Sequence, residues 1–404
     1  MISTDMVDCK IANGSEKKNV VELVGNVGSS AAKDRGQGFR EKMGECGITV
    51  TESQTANWDA TEGKAVMEAF LKKSQDIQDL ARRNDRTAAI EDREWEKLLR
   101  GPGFFTTDRV TQRSIEGISR EDLIGFHKAS FHPRNFIVAV SGDVETHAIL
   151  EKLEAALGGW ARESVAADPG PIPKPGQDPV PGVYIVDKPV NQGRAVIGEL
   201  AAMRNDPDYH ALFIMNQILG GGGFTSRITS RVRSDEGLAY TAGSQYEFGI
   251  YFPGIFRAFF QSKSASVAEA AGIVVKEIER IRSGEASAEE IETAISHAIG
   301  LLPRSFSTPA TTAATLASDE FTGRDPSFWK TYRQKMKSVT ARDVLRVAKE
   351  RLHPDRLVIL VVGDRKDILK ANPDRPEWSL EKLAGAGGPK SIPLPDPLTL
   401  EAPK

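Results

Sequence analysis

Cysteine is nearly absent: Cys9 and Cys46 are the two thiols in 404 residues. Two thiols cannot build a disulfide framework or a four-thiolate zinc site. Long apolar runs are also missing; none approaches the ~18 residues of a membrane span. Charge of one sign is not in excess. The 53 Lys and Arg against 56 Asp and Glu leave a net charge of −3, which argues against a dedicated nucleic-acid binder with a basic surplus. The opening Met1-Ile2-Ser3-Thr4-Asp5-Met6 has neither the basic start nor the apolar stretch of a signal peptide. What is present is ordinary. Hydrophobic residues are 40% and charged residues 27%, the mix of a soluble globular chain. At ~150 residues per domain this length predicts two or three domains.

Proline marks the clearest boundary. Residues 168–182 read DPGPIPKPGQDPVPG, with prolines at 169, 171, 173, 175, 179 and 181. Proline removes backbone donors and fixes φ, so this stretch predicts an extended inter-domain linker. Residues 371–404 are a second Pro- and Gly-rich stretch and read as a tail. Between them, Val267, Ala271, Val274, Ile278 and Ile281 recur on one helical face. Ser287 followed by Glu290 is a capping box for the next helix. Tyr184–Val186, Ala195–Gly198 and Gly254–Phe260 read as strands. Residues 1–64 are polar, Gly- and Ser-rich and poorly periodic, with one short strand near Asn19–Val24. They predict an atypical, partly disordered segment.

An internal repeat organises the rest. Residues 118–143 read ISREDLIGFHKASFHPRNFIVAVSGD, and residues 339–364 read VTARDVLRVAKERLHPDRLVILVVGD. At one offset of 221, Asp122 matches Asp343, His132 matches His353, Pro133 matches Pro354, and Gly142-Asp143 match Gly363-Asp364. Each copy predicts a capped helix, a His-Pro turn, and an apolar strand ending at Gly-Asp. The matched positions favour a structural turn role for His132 and His353. The second half begins near Val183, so its counterpart would lie at position −38, upstream of Met1. The first half, 65–167, is therefore expected to be incomplete, and the second, 183–370, complete. The fold expected is α+β: two homologous halves of mostly antiparallel sheet, each covered by helices on one face.

Two strings in the second half carry a family resemblance. Residues 219–227 read LGGGGFTSR, and residues 233–240 read RSDEGLAY. With the first-half stretches RRND at 82–85 and DREW at 92–95, they resemble the pitrilysin/insulinase family of zinc peptidases, in its processing-peptidase branch. The resemblance implies two similar halves closing on an unfolded peptide, with H-x-x-E-H holding zinc in the active half. This chain has six histidines, at 127, 132, 147, 210, 297 and 353, and no pair has that spacing. The resemblance places a distal Glu on a helix where this chain has Asp76 and Asp79; neither is assigned as a ligand. No metal ligands or catalytic residues of its own are expected, and zinc is expected in a partner subunit.

Arg233 and Tyr240 are the substrate-binding residues that the resemblance implies: they would bind the peptide backbone and the oxyanion across the chamber. The residues alone favour the plainer reading, in which Arg233 pairs with Asp235 or Glu236 on a surface turn and Tyr240 starts a strand. Gly220, Gly221, Gly222 and Gly223 do not fit a phosphate loop, which needs a following Lys. They read either as a glycine-rich loop at the chamber mouth or as a helix cap and turn. The leading expectation is thus a non-catalytic subunit, inactive alone, in a heterodimer with a zinc-bearing family member and acting on peptides. The alternatives are a structural or assembly protein of the same fold, and a truncated product of an active zinc endopeptidase gene. The sequence does not give the compartment: the resemblance is compatible with a periplasmic setting, since bacterial members of the family are often exported, yet no signal segment is seen.

Overall fold

The computed structural model describes residues 19–24, 30–45, 49–55, 80, 82–159, 171–176, 178–370, 372 and 374–403. They belong to two compact units. The first comprises Met1–Asp85, Val110–Ser119 and Pro395–Lys404. In it, β1 (Asn19–Val24) pairs parallel with β2 (Thr49–Thr55), and α1 (Ser30–Glu45) packs against both. Parallel neighbours need a crossover, and α1 supplies it. Sequence alone offered only β1. At the repeat offset, the helix Val267–Ser283 would recur at 46–62, but β2 occupies part of that span, so this βαβ unit is not a copy of the second half. Asn84 Nδ2 donates to the Pro395 carbonyl at 2.7 Å, and Gln112 N to that of Leu398 at 3.1 Å. Asp76 and Asp79 lie outside the described residues; of the proline linker, residues 171–176 and 178–181 are described and form neither helix nor strand.

The second unit comprises Arg86–Arg109 and Arg120–Leu394. It opens with α2 (Thr87–Arg100), α3 (Arg120–Ser130) and α4 (Thr146–Leu157). Next come β3 (Gly182–Asp187), β4 (Gln192–Ala201), α5 (Tyr209–Asn216), β5 (Ala239–Glu247) and β6 (Gly254–Lys263). Five helices follow: α6 (Val267–Ser283), α7 (Ala288–Leu301), α8 (Pro309–Phe321), α9 (Phe328–Lys337) and α10 (Ala341–Arg351). The last strands are β7 (Val358–Gly363) and β8 (Lys390–Ile392). They make one six-stranded sheet in the order β5-β6-β4-β7-β3-β8. The β5–β6, β6–β4 and β4–β7 pairs are antiparallel; β7–β3 and β3–β8 are parallel. The fold is α+β as expected, but the sheet is mixed rather than mostly antiparallel.

Both faces of this sheet are covered. Val183, Ile185, Ala195, Ile197, Phe256 and Val361 join the core under α5, α6, α7 and α10. The alternate residues Tyr184, Val186, Val196, Leu360 and Val362 pack with Ile90, Trp95 and Leu99 of α2. Burial on both faces explains why β7 reads VILVVG without alternation. Helices on one face only were expected; α2 on the other is a correction. The predicted face of α6 is buried, and the Ser287–Glu290 capping box forms, with bonds of 2.8 and 3.1 Å.

The first repeat copy departs from the second after its turn. Pro133–Asn135 and Pro354–Arg356 are both 3-10 turns. Residues 358–363 then form β7, whereas 137–141 form no strand, and Ile137, Val138 and Val140 are exposed. A strand exists only by pairing, and among the described residues none lies on either side of this segment. A second sheet, homologous to the first, is not formed by the described residues.

Candidate functional site

The chain between α5 and β5 is wound tightly. Residues Gln217–Gly221 and Ser230–Asp235 are single π-helical turns, separated by a 3-10 turn at Gly223–Thr225 and a helical turn at Arg227–Thr229. Such π-turns widen the backbone and often mark functional sites. Side chains tie this wrap to its surroundings. Ser244 Oγ donates to Asn216 Oδ1 at 2.7 Å, and Thr229 Oγ1 to the Ala242 carbonyl at 2.9 Å. Arg227 makes a two-pronged bond to Glu290 at 2.6 and 2.9 Å. That guanidinium holds the Glu290 carboxyl below its ordinary range. Gln217 Oε1 lies 2.7 Å from His297 Nδ1, beside a cavity of about 130 Å³.

The four glycines have different reasons to be there. A Cβ on Gly220 would sit 2.4 Å from the Ser244 backbone nitrogen, so the wrap lies directly on β5. Gly223 has φ +64°, the left-handed region that glycine tolerates. Gly220→Ala is expected to push the wrap off β5 and cost roughly 1–3 kcal/mol, read as a lower urea midpoint. An unchanged midpoint would contradict the close approach.

Arg233 and Tyr240 are brought together. The guanidinium carbon of Arg233 lies 4.9 Å from the Tyr240 ring centroid and 4.5 Å from that of Phe224. Both rings are open to solvent, Phe224 at 67% exposure and Tyr240 at 82%. The pairing of β5 with β6 shifts register between Ala239 and Thr241, so Tyr240 sits on a bulge that turns its ring off the ladder. The acids that could have claimed Arg233 are taken. Asp235 bonds Arg231 at 3.0 Å, and Glu236 bonds Arg375 at 3.1 Å. Arg233 is therefore held by two aromatic faces, a cation–π clamp that leaves its N–H donors for another acceptor. Phe224 was not anticipated; its signal was a large aromatic directly after four glycines.

With this geometry in place, a family profile described as the peptidase M16 inactive domain matches residues 117–297. Residues 117–297 are thus homologous to the M16, or pitrilysin-family, inactive domain. The chain is 24% identical over 278 residues, 67% of its length, to an uncharacterized zinc protease of Streptomyces coelicolor. It spans 58% of that relative's length. The structure is similar to a peptidase M16 inactive domain from Pseudomonas fluorescens, with TM-score 0.60, 22% identity, and coverage of 83% of this chain and 76% of that one. A chain of complex III from Candida albicans matches with TM-score 0.58 and 17% identity, over 81% of this chain and 82% of its own. A different likeness is shorter: 36% identity over 87 residues to the ribose import binding protein RbsB of Salmonella typhimurium, 22% of this chain and 28% of that protein.

In this M16 homologue, two further features lie away from Arg233. His353 is fixed by Glu199, whose Oε1 accepts from His353 N at 2.7 Å while Oε2 lies 2.8 Å from Nδ1. Burial raises the Glu199 pKa against the opposing pull of His353. Glu199 gives the turn histidine an anchor 154 residues away in sequence. A cavity of about 550 Å³ is lined by Arg204, Asp208, His210, Arg324, Lys335 and Arg346. Burial and then Lys335 push His210 down to about 4, and its Nε2 has no partner. The unfolded chain accepts this proton from pH ~6.5 downward, whereas the folded chain resists until about 4. Stability should fall as pH drops through that window. His210→Phe should flatten the fall, read as Tm against pH; identical curves for the two proteins would rule the assignment out.

Proposed function

We propose that this chain is a non-catalytic subunit of an M16-type zinc peptidase and contributes Arg233 and Tyr240 to a chamber shared with a zinc-bearing partner. The observation that carries the reading is the Arg233 clamp: a guanidinium with both neighbouring acids engaged elsewhere, set between two exposed rings at the edge strand of the sheet. Peptide would lie along β5 as an added strand, recognised through its backbone. Arg233 would donate to a peptide carbonyl, and the Tyr240 hydroxyl to the same group as charge develops on it. Gly220–Gly223 would form the floor beside the peptide.

The donor set supports placing the metal elsewhere. The sequence has no H-x-x-E-H, and among the described residues no cluster of three or more His, Cys, Asp or Glu could hold an ion. Zinc, when bound in the partner, would supply an activated water. The likeness to a chain of complex III keeps an assembly role as the second reading. The RbsB likeness covers 22% of this chain, and the parallel βαβ unit at Asn19–Thr55 lies outside the M16 match. The likeness covers 28% of that protein, so sugar binding is not carried over.

The test is anisotropy of a labelled unfolded peptide titrated with the full chain. Arg233→Ala should weaken binding about tenfold, the loss of one charge-assisted bond of ~1.5 kcal/mol. Equal affinity for wild type and variant would overturn the assignment.

A further inference from the structure

Residues 371–404 read from the sequence as a tail, yet the run that carries Arg375 is fastened to the core. Trp378 packs on Gly272 of α6 so closely that a Cβ on that glycine would sit 2.3 Å from the indole ring. Leu380 is fully buried, and β8 pairs with β3. Arg375 itself lies between two backbone bonds. Its amide donates to the Asn372 carbonyl at 3.0 Å, and its carbonyl accepts from Trp378 N at 3.1 Å. The guanidinium is therefore delivered to a fixed place.

That place is a pair of acids. Arg375 Nη1 lies 2.7 Å from Glu269 Oε1 and 3.1 Å from Glu236 Oε2. Asn372 Nδ2 donates to the other Glu269 oxygen at 3.0 Å. Glu236 follows Arg233 by three residues, the spacing at which side chains on a helical turn are neighbours. Its side chain is 20% exposed against 45% for Asp235, so water and salt screen its charge less. Arg231 also reaches Glu236, at 3.4 Å, but its shorter bond is to Asp235 at 3.0 Å. Among the described residues, Arg375 is thus the principal hold on Glu236.

We propose that Arg375 is a positioning residue for the peptide site: it keeps Glu236 off Arg233 without touching peptide, so the docked C-terminal segment sets how well Arg233 can bind a peptide carbonyl. The inference rests on the peptide-binding reading of Arg233 given above. Without the Arg375 charge, Glu236 turns to Arg233. A peptide carbonyl must then displace a carboxylate, which is the stronger acceptor for a guanidinium.

The test uses the full chain and the same labelled unfolded peptide. Arg375→Met, which keeps the bulk of the stem and removes the charge, should weaken binding about threefold to fivefold at ~0.01 M salt, the size of one surface ion pair. The loss should vanish at ~1 M salt, where surface charges are screened. In a Glu236→Gln background Arg375→Met should have no effect on affinity. Arg375→Lys, which keeps the charge, should retain most of the binding. Arg375→Met also takes a partner from Glu269, so Tm should fall in both backgrounds while affinity falls only where Glu236 is charged. Equal affinity for wild type and Arg375→Met, with Arg233→Ala weakened, would overturn the positioning role alone. An equal loss in the Glu236→Gln background would overturn it too, as general loosening of the segment. If Arg233→Ala binds as tightly as wild type, the peptide reading itself falls, and this inference with it.

Discussion

Gly198→Ala should destabilise the protein by about 4 kcal/mol or more, among the largest effects of any single methyl group in this fold. Gly198 lies in β4, paired with Arg257 of β6 on one side and Val358 of β7 on the other. A Cβ there would sit 1.9 Å from the Phe256 carbonyl oxygen, 2.9 Å from its carbon and 3.0 Å from the Arg257 Cα. All three are backbone atoms, so no side chain can swing away to relieve the clash. Relief requires β4 and β6 to part, and Phe256 beside the contact is fully buried, so parting them also loosens the core. For a unit of this size the loss corresponds to a Tm drop on the order of 10 °C. An unhindered glycine, Gly142, offers the control. A Cβ on Gly142 meets nothing within 4 Å, and Gly142→Ala should stay within ~0.5 kcal/mol of wild type. A Tm for Gly198→Ala as unchanged as that of Gly142→Ala would refute the close β4–β6 approach.

What could be read from the sequence is what local chemistry determines. The α6 face follows from spacing, the α7 start from Ser287 and Glu290, and β7 from an apolar run between a His-Pro turn and Gly-Asp. The elements that escaped depend on distant partners. α1 has Gly36, Gly38 and Gly44 and little apolar patterning, so its place follows from the parallel pairing of β1 with β2 rather than from its own residues. α2 carries Ile90, Trp95 and Leu99, but nothing in those residues says that they meet the far face of a sheet formed about a hundred residues later. The 137–141 run reads as a strand because its composition is right; pairing is what it lacks. At the candidate site, the RSDEGLAY string pointed to Arg233 and Tyr240. Phe224 was not, because its contact with Arg233 depends on how two π-turns wind, and the freedom of Arg233 depends on Arg231 and Arg375 claiming its acidic neighbours.

If Arg233 is the oxyanion donor proposed above, Arg233→Ala should lower turnover by about 10²-fold when the chain is combined with a zinc-bearing M16 partner, the usual loss of one preorganised donor. The magnitude follows from the clamp. Two rings fix the guanidinium near 4.5 and 4.9 Å before substrate arrives, so little reorganisation accompanies the transition state. Arg233→Lys should rescue only in part, since an ammonium keeps the charge but not the planar fork. Tyr240→Phe separates two roles of the tyrosine: the ring face that holds Arg233 remains, and the hydroxyl is lost. A fall of about tenfold in Tyr240→Phe would place the hydroxyl on the reacting group. Phe224→Ala should weaken the clamp without removing a donor, and should act less than Arg233→Ala. The kinetic pattern distinguishes the mechanism. If Arg233 acts on developing charge, kcat and kcat/KM fall together; if it holds peptide equally throughout, KM rises and kcat stays constant. Turnover unchanged in both Arg233→Ala and Tyr240→Phe would remove the pair from the chamber and leave the assembly role as the better account of the fold.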